Sequence, residues 1–229
     1  MATPLEAREA LAGLTALARR DLFSLFDALR DLTAEQTRDV LREILPTLGL
    51  QYGDAAAALA ADWYAQLRDE AGAPGVFDPV LATEPDRGRW DSLARWGVAP
   101  LFQATPDLGS ALTLIAGGLQ RSIADQHRLT IVDSSIADPA ASGWKRVGVG
   151  ANCGFCRMLI DRGHVYTESG VTFRSHDHCN CAASPSFADN VVKVSTEPYR
   201  QSQRNRSDET KAKDNARAKA FIADKYGDN

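Results

Sequence analysis

Near the start of the chain, Leu11, Leu14, Ala18, Leu22, Leu25, Leu29 and Leu32 recur at steps of three and four, widened by Phe23 and Phe26. That period keeps side chains on one face of a helix and predicts a core-facing helix, or a seam against a partner chain. Thr33 opens a TAEQ stretch that reads as a capping box, so a second helix follows and ends near Pro46. A third fits from Asp54 to about Glu70, stopped by Gly72 and Pro74. Residues 71–88 are dense in Gly, Pro and Asp and read as loop. A short helix is expected from Trp90 to Trp96. A long one opens at Thr105-Pro106, with Thr as cap and Pro in the first turn, and shows Leu108, Leu112, Ile115, Leu119 and Ile123 on one face to roughly Arg128. Inside it, Gly117-Gly118 suggests close helix packing. His127 follows that helix and would favour its C-terminal dipole.

The texture changes after Asp133. ADPAASG reads as a turn region, and Val147, Val149, Val165, Tyr166, Val171 and Phe173 suggest short strands broken by glycines, with His164 at the start of one. The expected fold is therefore mainly α: a helical domain over 1–135, a small α+β module over 136–190, and a polar tail over 191–229. Ser207 would cap a last helix running to about Tyr226. The small module has too few apolar residues to build much core alone, and segments of that size need a disulfide or a metal.

Composition narrows the choice. The net charge of −4 rules out a chain that is basic throughout, although Arg200 to Lys219 carries seven Lys or Arg against three acids. The N-terminal stretch MATPLEAREA lacks the basic and apolar regions of a secretory signal, and no run of about 18 apolar residues predicts a membrane span. In a reducing cytosol the cysteines are then expected as thiols or metal ligands.

All four cysteines and three of the four histidines lie between Cys153 and Cys181. The order is C-x2-C, nineteen residues, then H-x-H-C-x-C. A C-x2-C turns two thiolates toward one ion, zinc accepts four Cys or His ligands in a tetrahedron, and the second cluster supplies the rest. Six candidates compete for four places: Cys153, Cys156, His176, His178, Cys179 and Cys181. On an extended strand His176 and His178 share one side while Cys179 and Cys181 share the other, which favours four cysteines. A turn at Asp177-His178 would instead bring His176 beside the cysteines.

Three rivals fit less well. A thioredoxin-like centre expects its C-x-x-C after a strand in a βαβ unit, and here Gly150, Ala151 and Asn152 precede it. A catalytic Cys-His pair lacks an orienting third group and an oxyanion loop. Catalytic zinc needs an open position beside a general base, and Glu168 in a glycine-adjacent turn is the only acid of note. Structural zinc is the expectation, with no enzymatic activity.

The stretches GWKRVGVGANCGFCRMLIDRGHVY and HDHCNCAASPSF resemble the MuF-like minor head proteins of tailed bacteriophages, in the form found in phages of actinobacteria. The motif is C-x-x-C, then a histidine, two residues and C-x-C: Cys153, Cys156, His176, Cys179 and Cys181. YGDAAAALAADWYAQLR, RWGVAPLF and QRSIADQHRLTI are also similar, so the resemblance spans roughly 45–187. It implies a structural zinc site of four among those five residues, with Cys153, Cys156, His176 and Cys181 favoured and Cys179 as substitute. It also implies a low-copy virion component, made in the host cytoplasm and associated with the portal vertex, the major capsid protein and the capsid interior. Head assembly or DNA delivery would be its task. Some relatives carry a fused protease or toxin, and this chain ends soon after the cysteine window, which argues further against catalysis. The basic tail would touch packaged DNA through phosphates; an independent nucleic-acid-binding zinc module is the alternative reading. No membrane and no small-molecule substrate are expected.

Overall fold

The computed structural model describes residues 3–148, 152–167, 173, 175–177, 179, 181–189, 191–194 and 207–227. His178, Glu168, Val149, Val171 and the start of the basic stretch, with Arg200, Arg204 and Arg206, lie outside them. Six α-helices and a small sheet account for the described architecture: α1 (Pro4–Ala28), α2 (Ala34–Glu70), α3 (Arg87–Gly97), α4 (Leu108–Ala137), β1 (Gly143–Val147), α5 (Gly154–Asp161), β2 (Val165–Tyr166), β3 (Ala182–Ser186), β4 (Lys193–Val194) and α6 (Asp208–Tyr226). A mainly helical chain with a small α+β module is what the patterning predicts. None of the described helices is long and apolar enough to cross a membrane.

Helix α1 starts on a capping box of Thr3 and Glu6, and α2 on one of Thr33 and Gln36, each satisfying backbone N–H groups that would otherwise lack partners. The expected stop at Pro46 does not occur. α2 runs through it as one helix of 37 residues. Proline there removes only one backbone hydrogen bond, and the Ala-rich stretch that follows has strong helical propensity. The two helices expected on either side of Pro46 are thus a single rod. Its end is as foreseen: Gly72, at φ 63°, takes the left-handed turn after the last residues. The long helix opens two residues later than expected, because its cap is Asp107, not Thr105, and accepts from the Ser110 N–H. It also continues to Ala137, nine residues past Arg128.

Two clusters form the core. The first joins α1, α2, α3 and α4 through Leu22, Phe26, Leu41, Leu45, Trp90, Ile115, Leu119 and Ile123. Phe23, placed on the α1 stripe above, is 39% exposed instead, since the stripe is narrower than its flanking aromatics suggest. The pair Gly117-Gly118 does serve close packing: a Cβ on Gly118 would stand 2.2 Å from Leu93 Cδ1. Tighter still is Gly49, where a Cβ would meet Trp90 Cζ2 at 2.1 Å. Ala at position 49 gains about 1 kcal/mol of helix propensity, but it must displace a rigid buried indole. Gly49→Ala is therefore expected to destabilise the protein by about 1–2 kcal/mol net, read as a lower urea midpoint at unchanged slope.

The second cluster carries the rest of the fold. Trp63 and Tyr64 of α2 and Ile131 and Val132 of α4 pack with Trp144 of β1, Phe173, Ala183, Cys156 and Cys181. The small module thus borrows core from the far halves of two long helices. Its sheet has the order β3-β1-β2-β4, antiparallel except for the β2–β4 pair. Strand β3, sequence AASPS, is not foreseen by the patterning. Among the described residues it pairs only with β1, with Pro185 opposite Trp144. A sheet edge is where a strand tolerates a residue without an N–H.

Between α2 and α3 an extended segment lies along α4. The Ser134 hydroxyl accepts from Val80 N–H at 2.9 Å and Thr130 accepts from Ala82 N–H at 3.0 Å. Buried Arg68 anchors its start, donating to Asp138 at 2.9 Å and to the carbonyls of Ala73, Pro74 and Gly75. At the far end of the chain, α6 is capped by Ser207 as expected and buries none of its residues. Its end approaches α5 so closely that a Cβ on Gly154 would meet Gly227 O at 2.8 Å and Ile222 Cγ2 at 2.9 Å.

Candidate metal centre

The first two donors sit on a helix start rather than an isolated turn. Cys153 is the N-cap of α5, its sulfur accepting from Cys156 N–H at 3.5 Å, and Cys156 is buried in the first turn. A thiolate suits that place, because the cap faces the positive end of the helix. The other donors arrive on the segment leading into β3. Cys179 N–H donates to His176 O at 3.2 Å, closing a turn over Asp177. Of the two geometries open to the sequence, the turn is the one observed, and it brings His176 round to the cysteines.

Five side chains meet as a result. His176 Nε2 lies 3.0 Å from Cys153 Sγ, while Cys156 Sγ lies 3.5 Å from Cys179 Sγ and 3.4 Å from Cys181 Sγ. The donor atoms form two overlapping triplets, Cys153–Cys156–His176 and Cys156–Cys179–Cys181, and Cys156 belongs to both. Metal–sulfur bonds of about 2.3 Å imply sulfur–sulfur edges of about 3.8 Å in a tetrahedron. Cys156 stands near that spacing from both partners. Cys179 and Cys181, at 2.8 Å, are closer than two ligand sulfurs sit, so a tetrahedral ion takes one of them or spreads the pair by about 1 Å.

The imidazole is already in the ligating tautomer. Nδ1–H of His176 donates to Asp177 O at 2.7 Å, leaving the Nε2 lone pair toward Cys153. The loop is tied to α4 at three points: Ser175 Oγ donates to Asp125 at 2.7 Å, Arg121 pairs with Asp177 at 3.2 Å, and buried Arg128 donates to the carbonyls of Cys179 and Cys181 at 2.8 and 3.2 Å. Arg146 of β1 donates to Cys181 Sγ at 2.8 Å and lies 3.8 Å from the Phe173 ring centre. None of Asp125, Arg128 or Arg146 stands out in the sequence as part of this centre. Asp125 and Arg128 come from a helix 25 or more residues before Cys153, and Arg146 reaches a cysteine thirty-five residues after it, so only a fold unites them.

Crowding sets the thiol chemistry. Hydrogen bonds to Cys179 and Cys181, with burial, push the Cys156 thiol far above its ordinary value. Cys179, accepting from Cys156 and Cys181, is pushed far below. Burial works to raise the Cys153 thiol, but the Cys156 N–H and His176 outweigh it and hold the thiol below its usual range. For His176, burial works downward, and the Asp177 carbonyl and the Cys153 thiol prevail to raise it. So many adjacent sulfurs cannot all ionise alone, whereas a dication stabilises every thiolate at once. The donor set of thiols and one imidazole suits a borderline-soft ion such as zinc.

His164 and His127 stay outside the centre. His164 precedes β2, as its position after Gly163 suggests. His127 is 1% exposed in the interior of α4, not at a helix end. The extra turns of that helix beyond Arg128 bury it, so the dipole reading does not hold.

A comparison with protein families finds that the profile described as VG15 protein matches residues 3–207. No curated protein and no solved structure matches the chain.

Proposed function

The chain belongs to the VG15 protein family, which marks it as a phage protein, and from that footing we propose that it is a structural minor head protein of a tailed phage. In this reading it sits at the portal vertex or capsid interior of the virion and serves head assembly or DNA delivery. The observation that carries the reading is the five-donor cluster, built from two segments and packed on a helical body. A zinc ion held by four of Cys153, Cys156, His176, Cys179 and Cys181 locks α5 and β3 together, so a module with little core of its own keeps one shape. The helical body and the segments joining its helices offer apolar side chains for partners: Val76, Leu81, Trp96 and Phe102 are each about half exposed or more. Portal and major capsid subunits are the partners this role requires.

Cross-linking of purified virions, followed by mass spectrometry, tests the role. Links from this chain to portal or capsid subunits are expected. Particles that lack the chain altogether would contradict it.

The reading also assigns no catalysis to the thiols. Cys153 and His176 are close enough to act as a thiol–imidazole pair, so the distinction needs a measurement. If the pair is a metal corner, iodoacetamide modifies Cys153 slowly at neutral pH and at least about ten-fold faster after chelation. Rapid modification that chelator leaves unchanged would point to a reactive thiol instead.

A further inference from the structure

Between α3, α4 and the loop that carries His176 lies a groove with a volume of about 350 Å³, the size of a small-ligand site rather than of a few waters. Its walls follow from helical spacing. Arg89, Leu93 and Trp96 share one face of α3, and Gly118, Arg121 and Ser122 share one face of α4. The helices run antiparallel and touch where Gly118 meets Leu93, while Arg89 donates to Asp125 at 2.8 Å farther along. Seven residues of helix set Trp96 about 10 Å along the axis from Arg89. Trp96 is 51% exposed, whereas Trp63, Trp90 and Trp144 are buried. Arg121 meets Asp177 at 3.2 Å as an ion pair, yet donates no hydrogen bond among the described residues, so its N–H groups are open to a ligand. Ser122 is 98% buried, and its hydroxyl, still reached by solvent, has no hydrogen-bond partner among those residues either.

We infer that this groove seats one nucleotide of a single-stranded nucleic acid, with its base stacked on the Trp96 indole and its phosphodiester on Arg121. An indole left in water accepts the flat face of any base, and a guanidinium with free donors accepts a phosphate oxygen. The charge selects a unit within a strand. Arg89, Arg121 and Arg128 face Asp125 and Asp177, three cations against two anions, which leaves one positive charge. A phosphodiester carries one negative charge, whereas a terminal phosphate carries nearly two at neutral pH. The strand must be single, because a duplex hides the faces of its bases in its own stack. Span separates this occupant from an aromatic residue at a peptide C-terminus. Such a residue holds its carboxylate close to its ring, while a nucleotide sets its phosphate beyond a sugar and so reaches from Trp96 toward the arginines. Ser122 adds a hydroxyl that bonds either a sugar oxygen or a base edge. The contact is distinct from phosphate binding by the basic stretch, and it stands independently of the head-protein role.

The test uses the zinc-loaded full chain at low salt with a twelve-residue oligothymidylate. Because the other three tryptophans are buried, a stacked base is expected to quench the solvent-exposed part of the intrinsic fluorescence, and to do so saturably. The same oligomer made without bases, and a duplex of equal length, are expected to leave that signal unchanged. Anisotropy of a dye-labelled strand then reads the variants. Trp96→Leu and Arg121→Gln are each expected to weaken binding at least five-fold, and Arg121→Gln should also make the salt dependence shallower by about one ion. Trp96 is half exposed and Arg121 touches the metal loop, so the urea midpoint and zinc content of both variants are measured alongside. Oligouridylate forms the second arm: tighter binding than oligothymidylate assigns the groove to RNA, and weaker binding assigns it to DNA. Fluorescence that stays unquenched at saturating strand would overturn the inference and return Trp96 to a protein partner. Equal quenching by the baseless oligomer would overturn it as well, as would wild-type affinity in a folded, zinc-loaded Trp96→Leu.

Discussion

Replacing Cys156 with serine is expected to abolish stoichiometric zinc binding and to unfold the small module while the four-helix body persists. Cys156 is the one donor shared by both triplets, so its loss breaks both, and the other four could complete a tetrahedron only by spreading Cys179 and Cys181 by about 1 Å from their 2.8 Å separation. Structural zinc sites in small peptides are worth about 10–16 kcal/mol near neutral pH, a sum that dwarfs any single contact in the module. β1, α5 and β3 should lose amide-exchange protection, and Trp144, buried against Cys156 and Phe173 in the second cluster, should lose its near-ultraviolet signal. The first cluster contains no residue of the module, so most helical signal should remain. Cys179→Ser provides the contrast. Cys179 and Cys181 crowd one ligand position at 2.8 Å, so the variant should keep one ion at reduced affinity. Equal zinc content in Cys156→Ser and the unaltered protein would refute the shared-vertex geometry.

Asp138→Ala is the second large effect, at about 3 kcal/mol or somewhat more. Arg68 and Asp138 form an ion pair with side chains 8% and 0% exposed, and Asp138 also accepts from Tyr64 OH at 3.1 Å and from Ala140 N–H at 2.9 Å. A buried pair of this kind adds little net stability over apolar residues of the same shape, but removing one partner strands the other charge. Here Arg68 would keep its three carbonyl acceptors, which places the loss at the lower end of the roughly 3–5 kcal/mol seen for such breaks. The turn after α4 and the start of the extended segment should open together, because Arg68 is their common tie. Urea unfolding at neutral pH measures the loss, and a change below about 1 kcal/mol would show that the pair is not a junction.

Much of the helical body was legible because its signals are local. The capping box at Thr33, the cap at Ser207, the stop at Gly72 and the small residues at Gly117-Gly118 each act within a few residues of themselves. Pro46 misled for the same reason. Its local penalty is real, yet 24 residues of favourable chain and a buried face follow it. β3 and α5 were hidden differently. AASPS has poor strand propensity and is held by β1, while the helix in GFCRMLID spans only eight residues and is secured by its cap and by packing. His127 looked like a helix end because a buried imidazole has no sequence signature that separates it from an exposed one.

The centre divides along the same line. Cysteine and histidine spacing offered six candidates, of which the fold brings five together while His178 lies outside the described residues; ligand types in paired clusters constrain each other even in one dimension. The arginines that hold the loop were invisible. Arg128 binds the two carbonyls across more than fifty residues, and Arg146 reaches Cys181 across thirty-five.

X-ray absorption at the zinc edge, on protein purified without added metal, addresses the ligation most directly. A single zinc per chain is expected, ringed by four sulfur and nitrogen scatterers at about 2.0–2.3 Å. A folded chain without metal would contradict the account, as would a zinc shell in which a water oxygen fills one position.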